Sequence, residues 1–217
     1  TGARKYDACN DPRGGGHFSG RITLGLVAAG VVAKKMIAPI QISADLVEVG
    51  GSTNIEASIQ DAIRAKDSVG GLVTCLCKNM PIGLGEPFFD SVESEIAHII
   101  FAIPAIKSIE FGSGIAAAKM RGSEHNDLII DEKGTTSTNF AGGINGGISN
   151  GNNIEFRVAV KPTASIAQAQ ETYNFATKQV EPLTIVGRHD ACIAVRVPVI
   201  VESAAAIALA DLSLRAR

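Results

Sequence analysis

The chain has 217 residues, of which 46% are hydrophobic and 19% charged, and its formal net charge is −2. Such a length suits a single globular domain with a sizeable core. A general nucleic-acid binder would carry a basic excess and aromatic stacking platforms, whereas this chain is near neutral, lacks Trp and has only 5% aromatic residues. These numbers argue against nucleic acid as a partner.

The chain carries no pattern typical of a membrane or secreted protein. No signal peptide begins at Thr1, and the apolar run from Leu26 to Ala33 is too short to span a bilayer. The Cys-x-Cys pair at Cys75 and Cys77 has neither metal nor redox spacing, so it predicts buried free thiols on one face of a strand. We therefore expect a cytoplasmic protein with reduced cysteines and no metal site.

The predicted elements mix amphipathic helices with short strands. After a polar segment that ends at Arg21, apolar residues recur every three or four positions from Leu24 to Val32 and predict a helix. Its N-terminus faces the segment 14–21, a natural place for a phosphate or carboxylate. A capping box at Asp90 and Glu93 would open a later helix. Helices are predicted over 55–63, 92–103 and beyond 198, and strands over 41–49, 72–77, 107–111, 154–160 and 183–186.

The most informative stretch is glycine-rich. Five glycines and three asparagines lie between Asn139 and Gly151, a segment we call the glycine loop, and they favour tight turns with positive φ that a ligand can approach closely. After the strand over 154–160 comes Lys161-Pro162-Thr163-Ala164-Ser165, which we call the lysine tip. Together the loop and the tip predict an anion cradle. The alternative is a glycine-rich hairpin with a polar end.

Four other features carry weaker signals. Gly112 to Ala117 fits G-x-G-x-x-A, with Asp131 further on, but no second βαβ unit follows, so we discount a dinucleotide site. The long polar connection over 121–138 predicts a functional or mobile loop. His98 is interpreted as a partly buried helix residue. Arg188-His189-Asp190, taken alone, is typical of a surface turn with a local ion pair.

Seven motifs in the same order make the chain resemble a chorismate synthase over nearly its whole length. They are Gly15 to Arg21 with Val27 to Gly30, Pro81 to Pro87, Ile103 to Lys107, Gly122 to Asp127, Asn139 to Gly151, Lys161 to Ile166, and Gly187 to Asp190. Ala191 is a departure, because the family usually has proline there. A larger departure is the absence of the family's two histidine motifs, Gly-Glu-Ser-His-Gly and Pro-Gly-His-Ala-Asp. We therefore interpret the chain as an N-terminally truncated, C-terminal portion of such an enzyme.

The resemblance implies an α+β fold, a β-α-β sandwich with helices packed between antiparallel sheets, as one domain over 1–217 and as a homotetramer. It implies an anti 1,4-elimination of phosphate from 5-enolpyruvylshikimate 3-phosphate, which gives chorismate and requires reduced FMN. Whether the reduced flavin comes from an NADP-dependent activity of the enzyme or from a partner stays open. The alternative is a folded but inactive fragment that binds flavin or another anion.

The resemblance also implies roles for particular residues. Asp190 would be the acid–base residue, assisting proton removal from the substrate through the flavin. Arg13 and Arg21 would bind the substrate, which carries two carboxylates and a phosphate. The FMN contacts would be His17, Phe18, Ser19, Gly146, Lys161, Pro162, Thr163, Ala164, Ser165 and Arg188.

Overall fold

The structure, a computed structural model, describes residues 2–9, 11, 13–187 and 189–216. Arg188, which the resemblance assigns to the cofactor, lies outside the described residues. The helices are α1 (Gly2–Lys5), α2 (Leu24–Met36), α3 (Ile55–Arg64), α4 (Val92–Ile100), α5 (Gly122–His125) and α6 (Pro198–Arg215). The strands are β1 (Gln41–Val49), β2 (Gly71–Lys78), β3 (Ile106–Phe111), β4 (Ile144–Asn145), β5 (Ile148–Ser149), β6 (Ile154–Val160), β7 (Gln170–Asn174) and β8 (Gln179–Leu183).

Four strands form one antiparallel sheet in the order β1-β2-β6-β3. At one end of the sheet, Val160 pairs with both Gly71 and Ile106. At the other end, Phe156 pairs with Phe111, and Ile154 lies opposite β2. The two short pairs β4-β5 and β7-β8 are separate antiparallel hairpins. The α+β class and the antiparallel sheet that the family resemblance implies are confirmed.

The core lies between one face of the sheet and two helices. Alternate residues of β6 are buried, and Cys75 and Cys77 on β2 lie on the same buried side as free thiols, as predicted. Helix α6 covers β1 and β2 and packs against α4, with nine of its residues buried. Many of these are alanines, so the helix can lie close to the sheet. The period-two and helical patterns therefore bury their apolar faces in one common core.

Helix α2 packs on α6 through its small residues. A Cβ at Gly30 would lie 2.4 Å from the Cβ of Ser203, so only glycine allows this approach. Lys34 forms an ion pair with Glu202 at the same contact. The predicted helix is confirmed, but its predicted apolar face is not the packed one, since Leu24 and Val32 are 75% and 58% exposed. The larger side chains cannot fit where the two backbones approach so closely.

Several predictions of element boundaries and local contacts are wrong. Helix α4 ends at Ile100 rather than near 103, and its cap is Ser91, whose hydroxyl accepts from the Ser94 amide, so Asp90 and Glu93 form no capping box. His98 on this helix is exposed rather than partly buried. Of the strand predicted over 183–186, only Leu183 lies in a strand, as the last residue of β8 in the hairpin β7-β8. Polar residues on both faces of these two exposed strands hide the alternation that identifies a strand.

The G-x-G-x-x-A match does not occupy the context of a dinucleotide site. The residues after β3 form a 3-10 helix, Gly114–Lys119, instead of an α-helix. The Glu110 carboxylate accepts from the Ile115 amide and occupies the space beside Gly114. The segment after β3 therefore lacks the helix dipole and the open turn that bind a pyrophosphate. Among the described residues, no helix combines the length and apolar character needed to cross a membrane.

Candidate functional site

The glycine loop and the lysine tip lie at opposite ends of the sheet. The loop precedes β6 and contacts the residues just after β3, since the Ser113 amide donates to the Phe140 carbonyl at 2.9 Å. The tip follows β6, and the Lys161 amide donates to the Ala105 carbonyl at 2.9 Å, just before β3 begins. The seven residues of β6 separate the two by about 20 Å. The structure does not bring the loop and the tip into one continuous cradle.

A network of hydrogen bonds fixes the peptide of Phe140 at the start of the glycine loop. The Asp127 carboxylate accepts from the amides of Phe140 and Ala141, at 2.8 and 2.9 Å, and from the Thr138 hydroxyl at 2.6 Å. The Ser113 hydroxyl donates to the Phe140 carbonyl at 3.2 Å and lies 3.0 Å from His125 Nε2. The polar connection over 121–138 therefore holds the glycine loop in place.

The Asp127 carboxyl is tuned by these contacts. Partial burial by itself would raise its pKa, but hydrogen bonds from the Thr138 hydroxyl and the two loop amides, together with the nearby charge of His125, lower the pKa on balance. The ionised form is therefore the one that the loop stabilises.

Glycine is required at some positions of the loop by close packing, whereas another position faces open space. A Cβ at Gly142 would lie 2.6 Å from the Gly112 amide nitrogen, and one at Gly143 would lie 2.3 Å from the Asn153 carbonyl oxygen. Both positions have positive φ and serve internal packing. Gly146 also has positive φ, at 61°, but nothing lies within 4 Å of the place where its Cβ would be. Its bare backbone is open, as a ligand contact requires.

Within the described part of the chain, the lysine tip contains a buried hydroxyl with no hydrogen-bond partner and a lysine with no carboxylate partner. The Thr163 hydroxyl oxygen is buried and has no hydrogen-bond partner, while its carbonyl accepts from the Ser68 hydroxyl at 2.6 Å. The Lys161 ammonium donates to the Pro162 carbonyl at 3.2 Å, and among the described residues no carboxylate pairs with it. A buried hydroxyl and an uncompensated cation within three residues of each other fit an anion such as a phosphate.

Asp190 comes close to the lysine tip through the backbone. The Val69 amide donates to the Ala191 carbonyl at 2.8 Å, and the neighbouring Ser68 binds the tip. The Asp190 carboxylate accepts two hydrogen bonds from Arg196, at 3.1 and 3.2 Å. The same hydrogen bonds and charge raise the pKa of Arg196. Arg196, which sequence reasoning did not single out, is therefore the ion-pair partner of Asp190. The local pair predicted within Arg188-His189-Asp190 stays a prediction, because Arg188 lies outside the described residues.

Ala105 is a second residue that the sequence did not single out. It has φ of 76°, a conformation that a non-glycine residue rarely adopts, and its carbonyl binds the first amide of the lysine tip. Ala105 lies within the motif Ile103 to Lys107, but nothing in that motif indicates a strained backbone.

The N-terminal segment carries the remaining predicted site residues. His17 and Phe18 line a cavity of about 880 Å³, within the range of small-molecule sites, together with Tyr6, Asp7, Cys9, Asp11, Gly16 and Ile22. Ser19 caps the 3-10 helix Gly20–Thr23, accepting from the Arg21 amide.

Arg13 pairs with Asp11 at 2.8 Å, and both side chains are largely exposed, so this ion pair is weak and a ligand can compete for Arg13. The segment meets the β7-β8 hairpin where the Arg4 guanidinium stacks over the Phe175 ring. The hairpin begins five residues after the lysine tip.

The comparisons with known proteins agree with one another. A sequence model described as Chorismate synthase matches residues 1–214. The chain is 60% identical over 211 residues to "Chorismate synthase" of Chitinophaga pinensis, covering 97% of this chain and 64% of that protein. It is 46% identical over 248 residues to "Chorismate synthase" of Dehalococcoides mccartyi, covering 100% and 68%.

A solved structure, "Crystal Structure of Chorismate Synthase", superimposes with a TM-score of 0.80 at 25% identity, covering 99% of this chain and 69% of that chain. The chain thus spans about two thirds of the length of the proteins it matches. The alignment to the Dehalococcoides protein is longer than the chain itself, so that relative carries residues with no counterpart here.

Proposed function

Because the chain belongs to the chorismate synthase family, we propose that it serves the reaction of that family: the anti 1,4-elimination of phosphate from 5-enolpyruvylshikimate 3-phosphate, with reduced FMN as cofactor. The observation that carries the proposal beyond the family match is the lysine tip. There a buried hydroxyl without a partner lies two residues from a lysine that no carboxylate among the described residues compensates. The adjacent residues Ser68 and Val69 bind this segment and the residue after Asp190.

The residues present fit FMN. Thr163 would donate its free hydroxyl and Lys161 its ammonium to the anionic cofactor, with Pro162, Ala164 and Ser165 completing the contact. When bound, reduced FMN would supply electron density that helps the C–O bond of the substrate to break. His17, Phe18 and Ser19 would contact the cofactor from the N-terminal side. The open backbone of Gly146 would do so from the far end of the sheet, and Arg188 is proposed from the resemblance alone.

The substrate is an anion with three acidic groups, so cations must bind it. Arg13 would leave its weak pair with Asp11 to do so, and Arg21 would join it. Asp190 would be the acid–base residue that assists removal of the ring proton. Its two hydrogen bonds from Arg196 fix the orientation of the carboxylate.

The family resemblance also supports a homotetramer in the cytoplasm that binds no nucleic acid. The exposed apolar residues of α2, among them Leu24 and Val32, suit a face that another polypeptide covers.

The test is calorimetric titration with FMN, reduced and kept anaerobic, and with oxidised FMN in the presence of the substrate. We expect tight binding in both cases and a loss of about tenfold or more for Lys161→Gln, since a charge-assisted hydrogen bond disappears. Lys35→Gln is the control, because Lys35 is an exposed lysine of α2 far from the tip. Equal affinities of the two variants would contradict the proposed site.

A second candidate is a folded domain that binds flavin or another anion without turnover. The observation that favours it is the placement of the four histidines. His125 contacts Ser113, His98 is exposed on α4, and His17 lines the N-terminal cavity, so none adjoins Asp190 except His189 next to it in the chain. We expect this polypeptide, assayed alone with reduced FMN and substrate, to form no chorismate, because it lacks both histidine motifs of the family. Turnover would exclude the second candidate.

A further inference from the structure

The loop between α3 and β2 contacts both halves of the proposed anion site. We call residues Ala65 to Gly70 the bracket. It begins with a tight stop to α3, where Lys66 has φ of 56° and the amides of Lys66 and Asp67 donate back to the carbonyls of Ile63 and Ala62. This pattern is a Schellman motif, which fixes the direction in which the bracket leaves the helix.

From this fixed start the bracket reaches two segments that are distant in the sequence. The Ser68 hydroxyl donates to the Thr163 carbonyl at 2.6 Å, and the Val69 amide donates to the Ala191 carbonyl at 2.8 Å. Gly70 lies so close to the end of β6 that a Cβ there would be 2.5 Å from the Val160 carbonyl oxygen. The consecutive residues Ser68 and Val69 thus bind the lysine tip and the residue that follows Asp190.

The Ser68 bond anchors the residue whose side chain carries the unpaired hydroxyl. It fixes the carbonyl of the same residue whose hydroxyl is buried without a partner. A buried hydroxyl left unpaired is unfavourable unless a ligand satisfies it, so its position must be imposed by its neighbours. Gln168 adds a second tie, since its side-chain amide donates to the Ala65 carbonyl at 2.8 Å.

We propose that Ser68 is a positioning residue for anion binding: it holds the peptide of Thr163 so that the Thr163 hydroxyl is presented to the phosphate or another anionic group of the cofactor. This inference rests on the proposed function for the identity of the ligand. The contact itself, which joins residues 95 positions apart, does not depend on that identity.

The experiment measures the affinity for anaerobically reduced FMN in four proteins: the unaltered chain, Ser68→Ala, Thr163→Val and the double variant. We expect Ser68→Ala to weaken binding by about three- to tenfold, the range for one neutral hydrogen bond. Thr163→Val removes the hydroxyl but keeps the side-chain shape and the carbonyl. If Ser68 acts through that hydroxyl, Ser68→Ala weakens binding no further in the Thr163→Val background.

Ser213→Ala is the matched control. Its hydroxyl also donates to a backbone carbonyl, that of Leu209, at 2.7 Å in a partly buried place, but it lies near the end of α6. We expect this variant to bind FMN as the unaltered chain does. A loss for Ser213→Ala as large as that for Ser68→Ala would overturn the proposal, as would equal losses for Ser68→Ala with and without the Thr163 hydroxyl.

Hydrogen exchange of the peptide that covers the lysine tip separates this inference from the proposed function. Without any ligand, Ser68→Ala should exchange faster there than the unaltered chain, whereas Ser213→Ala should not. If the unaltered chain binds no FMN but the tip exchanges faster in Ser68→Ala, the proposed cofactor is wrong and the positioning role stands. If the exchange rates are equal, the positioning role is wrong, whatever FMN does.

Discussion

The two ends of the four-stranded sheet are built in opposite ways. At the glycine-loop end, Asp127 and Ser113 occupy the amide and carbonyl groups of the Phe140 peptide, and most positive-φ glycines lie against backbone atoms. At the lysine-tip end, the Thr163 hydroxyl has no partner among the described residues, and the Lys161 ammonium binds only the carbonyl of its neighbour Pro162. The first end satisfies nearly all its polar groups internally, and the second leaves a hydroxyl and a cation available to a ligand.

The comparison shows that composition alone does not locate a binding site. The glycine loop is the more distinctive stretch in the sequence, yet much of its glycine content serves close packing of the chain with itself. Gly146, with open space around it, and Asn139, whose buried side-chain oxygen has no partner, are the exceptions at this end. A ligand that reaches both ends would have to extend along β6, whose seven residues span about 20 Å.

The largest expected effect concerns the chemistry at the lysine-tip end. In a protein that joins this chain to the remaining third of a chorismate synthase, Asp190→Asn should lower turnover by about two to four orders of magnitude, since it removes a general acid–base group. FMN affinity should change little, because the amide keeps the shape of the side chain. Rapid-mixing assays with reduced FMN and a separate FMN titration measure the two quantities.

Arg196→Gln supplies the graded comparison for that experiment. It removes the two hydrogen bonds that hold Asp190 but leaves the carboxylate, so its turnover should lie between those of the unaltered protein and Asp190→Asn. Unchanged turnover in Asp190→Asn would remove this residue from the mechanism and leave its pair with Arg196 as a surface contact.

The next effect concerns stability at the glycine-loop end. A Cβ at Gly112 would lie 2.1 Å from the Phe140 carbonyl oxygen, in a backbone conformation with φ of 53°. Gly112→Ala should therefore lower the free energy of unfolding by about 2–5 kcal/mol, from steric overlap and left-handed strain together. Gly146→Ala, with open space around it, should lower it by only about 1–2 kcal/mol. Denaturant unfolding of both variants gives the two values.

The same pair of variants tests the proposed role of the open glycine. Gly146→Ala should weaken FMN binding although it destabilises the fold less than Gly112→Ala does, because the added methyl group occupies the ligand's side of the loop. If Gly112→Ala were as stable as the unaltered chain, the glycine loop would be pliable, and the contrast between the two ends would fail.

Sequence patterns predicted the elements of this molecule that depend on residues close together in the chain. Alternating apolar residues predicted β6. The lysine tip after it was singled out for its cation and its hydroxyls. The Ser68 bond to Thr163 lies outside such reasoning because it joins residues that only the packing of α3 and β2 brings together. The packed side of α2 was predicted wrongly for a similar reason: hydrophobic periodicity favours the larger side chains, whereas the contact with α6 selects Gly30 and Ala33.

The smallest expected effect is a pH dependence that belongs to the glycine-loop end alone. The pKa of Asp127 is lower in the folded chain than its ordinary value, so its contribution to stability is fully present above the ordinary carboxyl pKa of about 4. It is lost as the pH falls through the lowered folded pKa, where the carboxylate becomes protonated and its hydrogen bonds from Phe140, Ala141 and Thr138 weaken.

Asp127→Asn removes this contribution at every pH. Near pH 6 the variant should be less stable than the unaltered chain by about 1–2 kcal/mol, the order expected for hydrogen bonds to a charged group. The difference should shrink steadily as the pH falls below the ordinary carboxyl pKa of about 4. Urea unfolding at a series of pH values measures it, with Asp45→Asn on the exposed side of β1 as the control for general acid effects. A difference that stayed constant with pH would mean that Asp127 holds the Phe140 peptide by shape and not by its charge, so the glycine-loop end would owe its rigidity to packing alone.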